Sequence, residues 1–219
     1  MPTSAEKFSQ ALYESAPDFG IELRPEQVKG LTDYYQLLLK WNSKLHLVAP
    51  CAPAEFATRH ILESLLLLPF LSRNARVVDI GSGGGLPIVP CLIVRDDLRA
   101  VLIESSRRKG VFLREALRLA KSRTAEVVVE RFEGSEVPAA DFVTCRALDK
   151  FQKMLPALVD WAPKGCELLL FAGPGLRVQI EEMLSSARAY PIPKSDRRFL
   201  IQAKKEDRTI HETTRTDTN

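Results

Sequence analysis

The stretch Arg76-Val77-Val78-Asp79-Ile80-Gly81-Ser82-Gly83-Gly84-Gly85-Leu86-Pro87 restricts what this chain can fold into more than any other. A short apolar run carrying one acid passes through four glycines in five positions and reopens at a proline. This reads as a buried strand, a tight turn and a helix start. Glycine permits the positive φ such a turn needs and lets a ligand come close to the backbone. Proline suits the start of a helix, where no amide hydrogen is required. A strand, glycine turn and helix in this order make a nucleotide-binding turn; the plainer reading is a tight turn with no ligand.

Spacing separates two cofactor classes. A dinucleotide fingerprint, G-x-G-x-x-G, would place its third glycine on Leu86. The pattern present is Asp79-x-Gly81-x-Gly83-x-Gly85, which resembles motif I of the S-adenosylmethionine-dependent methyltransferases. That ligand has no pyrophosphate to set on a helix N-terminus; it carries an amino-acid moiety and a sulfonium. An anionic Asp79 near the turn suits such a cation.

A chain of 219 residues can bury one sizeable core and is short for two. No apolar run is long enough to span a bilayer, and the run from Leu65 to Leu71 is interrupted by Pro69. The start, Met1-Pro2-Thr3-Ser4-Ala5-Glu6-Lys7, lacks the basic-then-apolar layout of a signal peptide, so a cytoplasmic protein is expected. Cys51, Cys91, Cys145 and Cys166 form no C-x-x-C pair, and His46, His60 and His211 lack ligand spacing. Buried thiols and no metal site are expected. A net charge of +3 permits a nucleic-acid partner without demanding one.

Residues 1–72 read as a helical extension, with helices over Ala5–Ser15, Pro25–Asn42 and Pro53–Pro69. From Arg76 the period changes, and residues 73–206 alternate short apolar runs with helical segments, the arrangement of a parallel sheet covered on both faces. The expected strands are Arg76–Ile80, Ala100–Glu104, Glu126–Glu130, Asp141–Cys145, Cys166–Phe171 and Phe199–Ala203. The helices between them are Pro87–Val94, Arg107–Ala120, Leu148–Asp160 and Leu176–Ala187. Residues 207–219 read as a polar, frayed tail. The fold class is α/β: a Rossmann-like methyltransferase sheet with an N-terminal helical extension.

Residues at the predicted strand ends are the candidates for chemistry, because a doubly wound sheet binds ligands there. Glu104 lies 23 residues after Gly81, where a carboxylate accepts hydrogen bonds from ribose hydroxyls in both cofactor classes. Past the third strand, Phe132 and Glu133 are placed to stack on and hydrogen-bond an adenine. Arg146 leaves the fourth strand, where a guanidinium fork can pair with guanine O6 or a phosphate. The Asn/Asp-Pro-Pro-aromatic segment common in enzymes that methylate exocyclic amines is missing there. Arg107, Arg108 and Lys109 are either phosphate contacts or a solvated helix face.

Taken together the segments resemble the RsmG family (glucose-inhibited division protein B), bacterial small-subunit ribosomal RNA methyltransferases that modify N7 of one guanine. The resemblance rests on Lys40-Trp41-Asn42 with Leu45-His46-Leu47, Arg59-His60-Ile61-Leu62-Glu63-Ser64, the glycine motif through Pro87, and Leu102-Ile103-Glu104-Ser105. It continues through Arg131-Phe132-Glu133, Cys145-Arg146-Ala147 and Arg198-Phe199-Leu200, in collinear order over residues 8–205. It implies S-adenosyl-L-methionine as cofactor, held by Asp79, Gly81, Gly83, Leu86, Glu104, Phe132, Glu133 and Arg146. It implies small-subunit (16S) ribosomal RNA as partner, with Arg146 orienting guanine or cofactor and Arg59 and His60, in the signature ahead of the glycine motif, as RNA or cofactor-mouth contacts. The basic clusters Arg107-Arg108-Lys109, Lys194 to Arg198 and Lys204-Lys205 are then candidates to hold the RNA phosphates. The chain departs from the family pattern at Ile88, where Gly is usual, at Ala172-Gly173, where Lys-Gly is frequent, and at His46, where Asn is usual.

The reaction so implied is direct displacement. Guanine N7 has a lone pair and no proton, so it needs no general base, and the chain shows no base dyad or nucleophilic cysteine. The rival readings are a methyltransferase of a protein or small molecule, an NAD-dependent oxidoreductase, and a non-catalytic RNA-binding relative. Leu86 at the third glycine position and the lack of a Tyr-x-x-x-Lys pair disfavour the oxidoreductase. A monomer is expected.

Overall fold

A computed structural model of the chain describes residues 1–146 and 150–205. Ala147, the first two residues of the helix expected at Leu148–Asp160, the expected tail at 207–219 and His211 lie outside the described residues.

The helical extension forms as its apolar spacing predicts. Helix α1, Ser4–Ser15, starts with a capping box between Thr3 and Glu6 and buries Phe8, Ala11 and Leu12. Helix α2, Pro25–Leu45, takes Pro25 in its first turn, buries Val28, Leu31, Tyr34, Tyr35 and Leu38, and ends at His46 with φ 49°. Helix α3 is a composite of an α-turn Pro53–Phe56, a π-helical segment Ala57–Leu62 and a closing α-turn Glu63–Leu65. It is shorter than the expected Pro53–Pro69, and the Arg59-His60 signature lies in its π-helical part.

The α/β part has strands β1 (Arg76–Ile80), β2 (Arg99–Ile103), β3 (Ala125–Val128), β4 (Phe142–Cys145), β5 (Glu167–Ala172), β6 (Arg188–Pro191) and β7 (Phe199–Lys204). Its helices are α4 (Ile88–Val94), α5 (Arg107–Leu119), α6 (Phe151–Trp161) and α7 (Pro174–Met183). The strand order is β3-β2-β1-β4-β5-β7-β6. The expectation of an all-parallel sheet of six strands is corrected on two points. An edge strand, β6, follows α7, which stops at Met183 rather than Ala187; β6 is short, mostly exposed and ends in proline, so no apolar alternation marks it. β7 then runs antiparallel to both β5 and β6, because the short link from β6 turns the chain straight back.

One apolar cluster joins Phe8, Leu12, Leu31, Leu38 and Ile61 of the extension to Val77 and Leu102 of the sheet. Val89 and Leu92 of α4 and Phe112 and Leu113 of α5 belong to the same cluster, so the extension completes, with these helices, the cover of one sheet face. The opposite face, with Val78, Ile80 and Val143, packs under α6 and α7 around Leu155, Leu158 and Ile180.

Strand order reverses between β1 and β4, which opens a crevice at their C-terminal ends. The glycine turn fills that position. Gly81, Gly83 and Gly85 have φ of 67°, 51° and 80°, so the turn as built demands glycine. A Cβ on Gly85 would also stand 2.6 Å from Val89 Cγ2. The buried hydroxyl of Tyr34 donates to the Gly84 carbonyl and pins the turn to α2.

Replacing Tyr34 by Phe leaves that buried carbonyl without its donor. The expected loss is about 1–3 kcal/mol of stability, a fall of several degrees in Tm, measured by denaturant or thermal unfolding.

Candidate active site

The glycine turn, pinned to α2 by Tyr34, is tied to the end of β2 in two further ways. The Gly81 and Ser82 amides donate to the Ile103 carbonyl at 2.9 and 3.2 Å, tying the turn to the end of β2. Glu104 then ties it from its side chain: Oε2 accepts from the Gly83 amide at 2.9 Å and Oε1 from the Ser106 amide at 2.8 Å. Glu104 is only 6% exposed, and each oxygen keeps a lone pair for a ribose hydroxyl. The acid expected to read a ribose thus shapes the turn.

Asp79 is fully buried beneath the turn rather than displayed on it. Its Oδ1 accepts from the hydroxyl of Thr144, its register partner on β4, at 2.7 Å. Its Oδ2 has no hydrogen-bond partner, the one buried side-chain oxygen or nitrogen among the described residues in that position. Burial pushes Asp79 up to about 7, against the pull of the Ser82 and Thr144 hydroxyls. A cation bound against the turn would hold this carboxylate ionised through the low dielectric around it.

Beside the turn lies an open cavity of about 380 Å³, lined by Gly81, Ile103, Ser105, Phe132, Glu133 and, from α6, Met154. Phe132 lies at the cavity wall with its ring edge-on to Trp161 at 5.8 Å, while Glu133 is exposed at the rim. Glu130, Arg131 and Lys150 complete the lining. Of the expected cofactor residues, the structure brings Gly81, Phe132 and Glu133 to this one space, with Gly83 and Glu104 joined behind it. Leu86 is half-buried and packs against the core shared with the extension. The orphaned carboxylate, the ribose acid and an apolar-walled cavity fit a cationic cofactor bearing a nucleoside.

Arg146 is placed differently from the expectation. Its side chain is 14% exposed and does not line that cavity. It turns into the π-helical segment of α3, donating to the His60 carbonyl and the Ser64 hydroxyl, each at 3.2 Å, and to the Arg59 carbonyl. It also pairs with Glu63 at 3.3 Å. The fork expected to orient guanine or cofactor is occupied by protein groups, so Arg146 here positions α3.

Glu63, buried and missed in the sequence as a functional residue, accepts Arg198 from β7's approach at 2.5 Å on its other oxygen. Burial pushes the Glu63 carboxyl up, and Arg146 and Arg198 pull it back. Burial, then the charges of Arg146, Arg59 and Arg198, lower His60 to about 3, so its ring is neutral at physiological pH. A signal for this network was present: an acid four residues after Arg59 within a polar block of an otherwise apolar helix.

The expected RNA contacts fall into two groups. Arg59 is exposed and paired with Glu55 at 2.7 Å. Arg107 and Arg108 are exposed in the first turn of α5, whose N-cap Ser106 accepts from the Lys109 amide, and Arg108 reaches the Lys44 carbonyl at 3.4 Å. Asn42, in the Lys-Trp-Asn segment, closes the following loop by bonding both the amide and the carbonyl of Val48 at 3.0 Å. That loop lays Leu47 against Gly84.

The Asp79 carboxyl binds its proton in the folded state across a range, from about pH 4 to about 7, where the unfolded chain has lost it. Stability therefore falls as pH rises through that range. Asp79→Asn is expected to flatten this part of the stability profile, measured by denaturant unfolding from pH 5 to 8. An unchanged slope would contradict the assignment.

The family model of GidB, rRNA small subunit methyltransferase G, matches residues 27–210. Ribosomal RNA small subunit methyltransferase G of Xanthomonas oryzae pv. oryzae is 41% identical over 144 residues, which is 65% of this chain and 68% of the relative. Among solved structures, a SAM-dependent methyltransferase from Aquifex aeolicus matches with TM-score 0.54 at 16% identity, covering 70% of this chain and 94% of that one. An RNA methyltransferase from Salinibacter ruber in complex with S-adenosyl-L-homocysteine matches with TM-score 0.50 at 16% identity, covering 73% and 95%. These two likenesses show the fold. With the family match over most of its length and a site fitted to that cofactor, the chain belongs to the GidB family, rRNA small subunit methyltransferase G, and is an S-adenosylmethionine-dependent methyltransferase.

Proposed function

We propose that the protein methylates N7 of a guanine in small-subunit (16S) ribosomal RNA by in-line displacement without a general base. The observation that carries this reading is the half-satisfied Asp79 carboxylate under a glycine turn, beside an open cavity, in a chain of this family. When bound, S-adenosylmethionine supplies a sulfonium methyl; attack by the N7 lone pair breaks the sulfur–carbon bond and leaves the positive charge on the base.

The chain's own residues bind and orient. Glu104 accepts ribose hydroxyls with the lone pairs its backbone bonds leave free, and Phe132 and Glu133 take the adenine at the cavity wall and rim. Asp79 favours the cationic reactant over the neutral product through its charge. Arg146 acts through α3: by holding the Arg59 and His60 carbonyls it fixes the wall against which the base is presented. Catalysis then rests on alignment of the reacting atoms. N7 needs no proton removed, so none of these groups serves as a base.

The N7 edge of a paired guanine lies in the deep, narrow major groove of A-form RNA, out of reach of side chains, so the target is an unpaired nucleotide. Arg59, Arg107, Arg108 and Lys109 supply phosphate contacts around it. Such an enzyme works as a monomer in the cytoplasm, on naked RNA or an assembling particle.

The test is transfer of labelled methyl from S-adenosylmethionine to deproteinised small-subunit RNA from cells lacking the protein, mapped by N7-specific strand scission. Label released at one guanine is expected, with kcat flat from about pH 6.5 to 9. Phe132→Ala is expected to raise the KM for S-adenosylmethionine roughly tenfold, the scale of one lost stacking contact. Label on an exocyclic amine or a ribose would overturn the N7 reading.

A further inference from the structure

A second cavity, of about 330 Å³, opens at the other end of the sheet, lined by Arg76, Val78, Arg99, Val101, Arg123 and Glu126 among others. It exists because the crossover from β3 to β4 carries no α-helix, only a single 3-10 turn at Phe132–Gly134. The face of β1, β2 and β3 turned away from α5 is thus left partly open. Val101 is half-buried there, and Val137 of the crossover is 42% exposed.

The charges on this face do not cancel. Arg76 and Arg99 are register partners on adjacent parallel strands, so both side chains leave the same face side by side. Like charges placed directly across a sheet are destabilising. Asp141 relieves one of them, pairing with Arg76 at 2.6 Å and also accepting its backbone amide at 2.8 Å. Arg99 and Arg123 are exposed and have no acidic partner among the described residues, and the lining carries three arginines against one glutamate. An apolar floor with unpaired guanidinium groups on its rim suits a nucleotide: the base against Val101 and Ala139, the phosphate on the guanidinium forks.

We propose that this groove is a second anchor for the RNA substrate, holding a nucleotide of the same molecule away from the site of methyl transfer. The proposal rests on the RNA reading above. β1 separates the two sites by its full length, on the order of 15 Å at a strand's rise per residue. Only an RNA long enough to pass from one end of the sheet to the other engages both.

The experiment compares wild type with the double variant Arg99→Gln/Arg123→Gln on two RNAs, full-length small-subunit RNA and a short oligonucleotide carrying only the target loop. With full-length RNA the variant is expected to raise KM about tenfold and to lower the slope of log affinity against log salt by between about 0.7 and 2, the loss of one or two phosphate contacts. With the short RNA, kcat and KM are expected to match wild type, as is the affinity for S-adenosylmethionine. Without RNA the variant should unfold at or above the wild-type temperature, since one like-charge neighbour is gone. Equal KM and equal salt slopes on full-length RNA would overturn the anchor, and so would equal losses on both RNAs. If wild type methylates neither RNA, the methyl-transfer reading is what fails; filter binding of the same two RNAs then still decides the groove by the same slopes.

Discussion

The Asp79 carboxylate organises the functional half of this molecule. It lies at 0% exposure under a turn with three positive-φ glycines, and only one of its carboxylate oxygens has a donor. A buried carboxylate with an unfilled oxygen is costly in the charged form, and burial drives its proton affinity up to about 7. On the proposed reading, a cation arriving at the turn removes that penalty, and the carboxylate that costs the free protein stability near neutral pH favours a sulfonium over the neutral thioether that remains after transfer.

Around this centre the extension and the sheet act as one body. Tyr34 reaches from α2 to the Gly84 carbonyl, Leu47 packs on the same glycine, and Trp41 donates to Glu115 of α5 at 2.8 Å. On the other side Glu63 sits between Arg146 at the end of β4 and Arg198 before β7. Removing one member of so buried an ion network leaves a charge uncompensated, which explains why a helical extension can present Arg59 and His60 in a fixed place. The π-helical part of α3 is where the carbonyls of those two residues meet Arg146, a geometry a regular α-helix turns along its own axis.

Much of this was legible in the sequence because it is local. The strand, glycine turn and helix at 76–94 and the five parallel strands follow from period and residue type, and Glu104, Phe132 and Glu133 from their places at strand ends. What was not legible is long-range. β6 escaped because an exposed edge strand shows no apolar alternation, and the reversal of β7 follows from β6. The strand end that carries Arg146 is legible, but the direction of its side chain is not, because its partners Arg59, His60 and Glu63 lie more than eighty residues earlier. The sequence puts Asp79 near the turn, and only its register with Thr144 shows that it lies beneath it.

The most direct test of the account is the ionisation of Asp79 itself, followed by carbon-13 NMR of labelled aspartate carboxyl groups, with Asp79→Asn used to assign the signal. In the free protein the signal is expected to titrate near pH 7; with S-adenosylmethionine bound it should already be ionised at pH 6, and with the neutral thioether product it should return toward the free curve. A carboxyl ionised at pH 5 without ligand, or one whose titration ignores the charge of the ligand, would contradict the central claim that this buried acid is tuned to a bound cation.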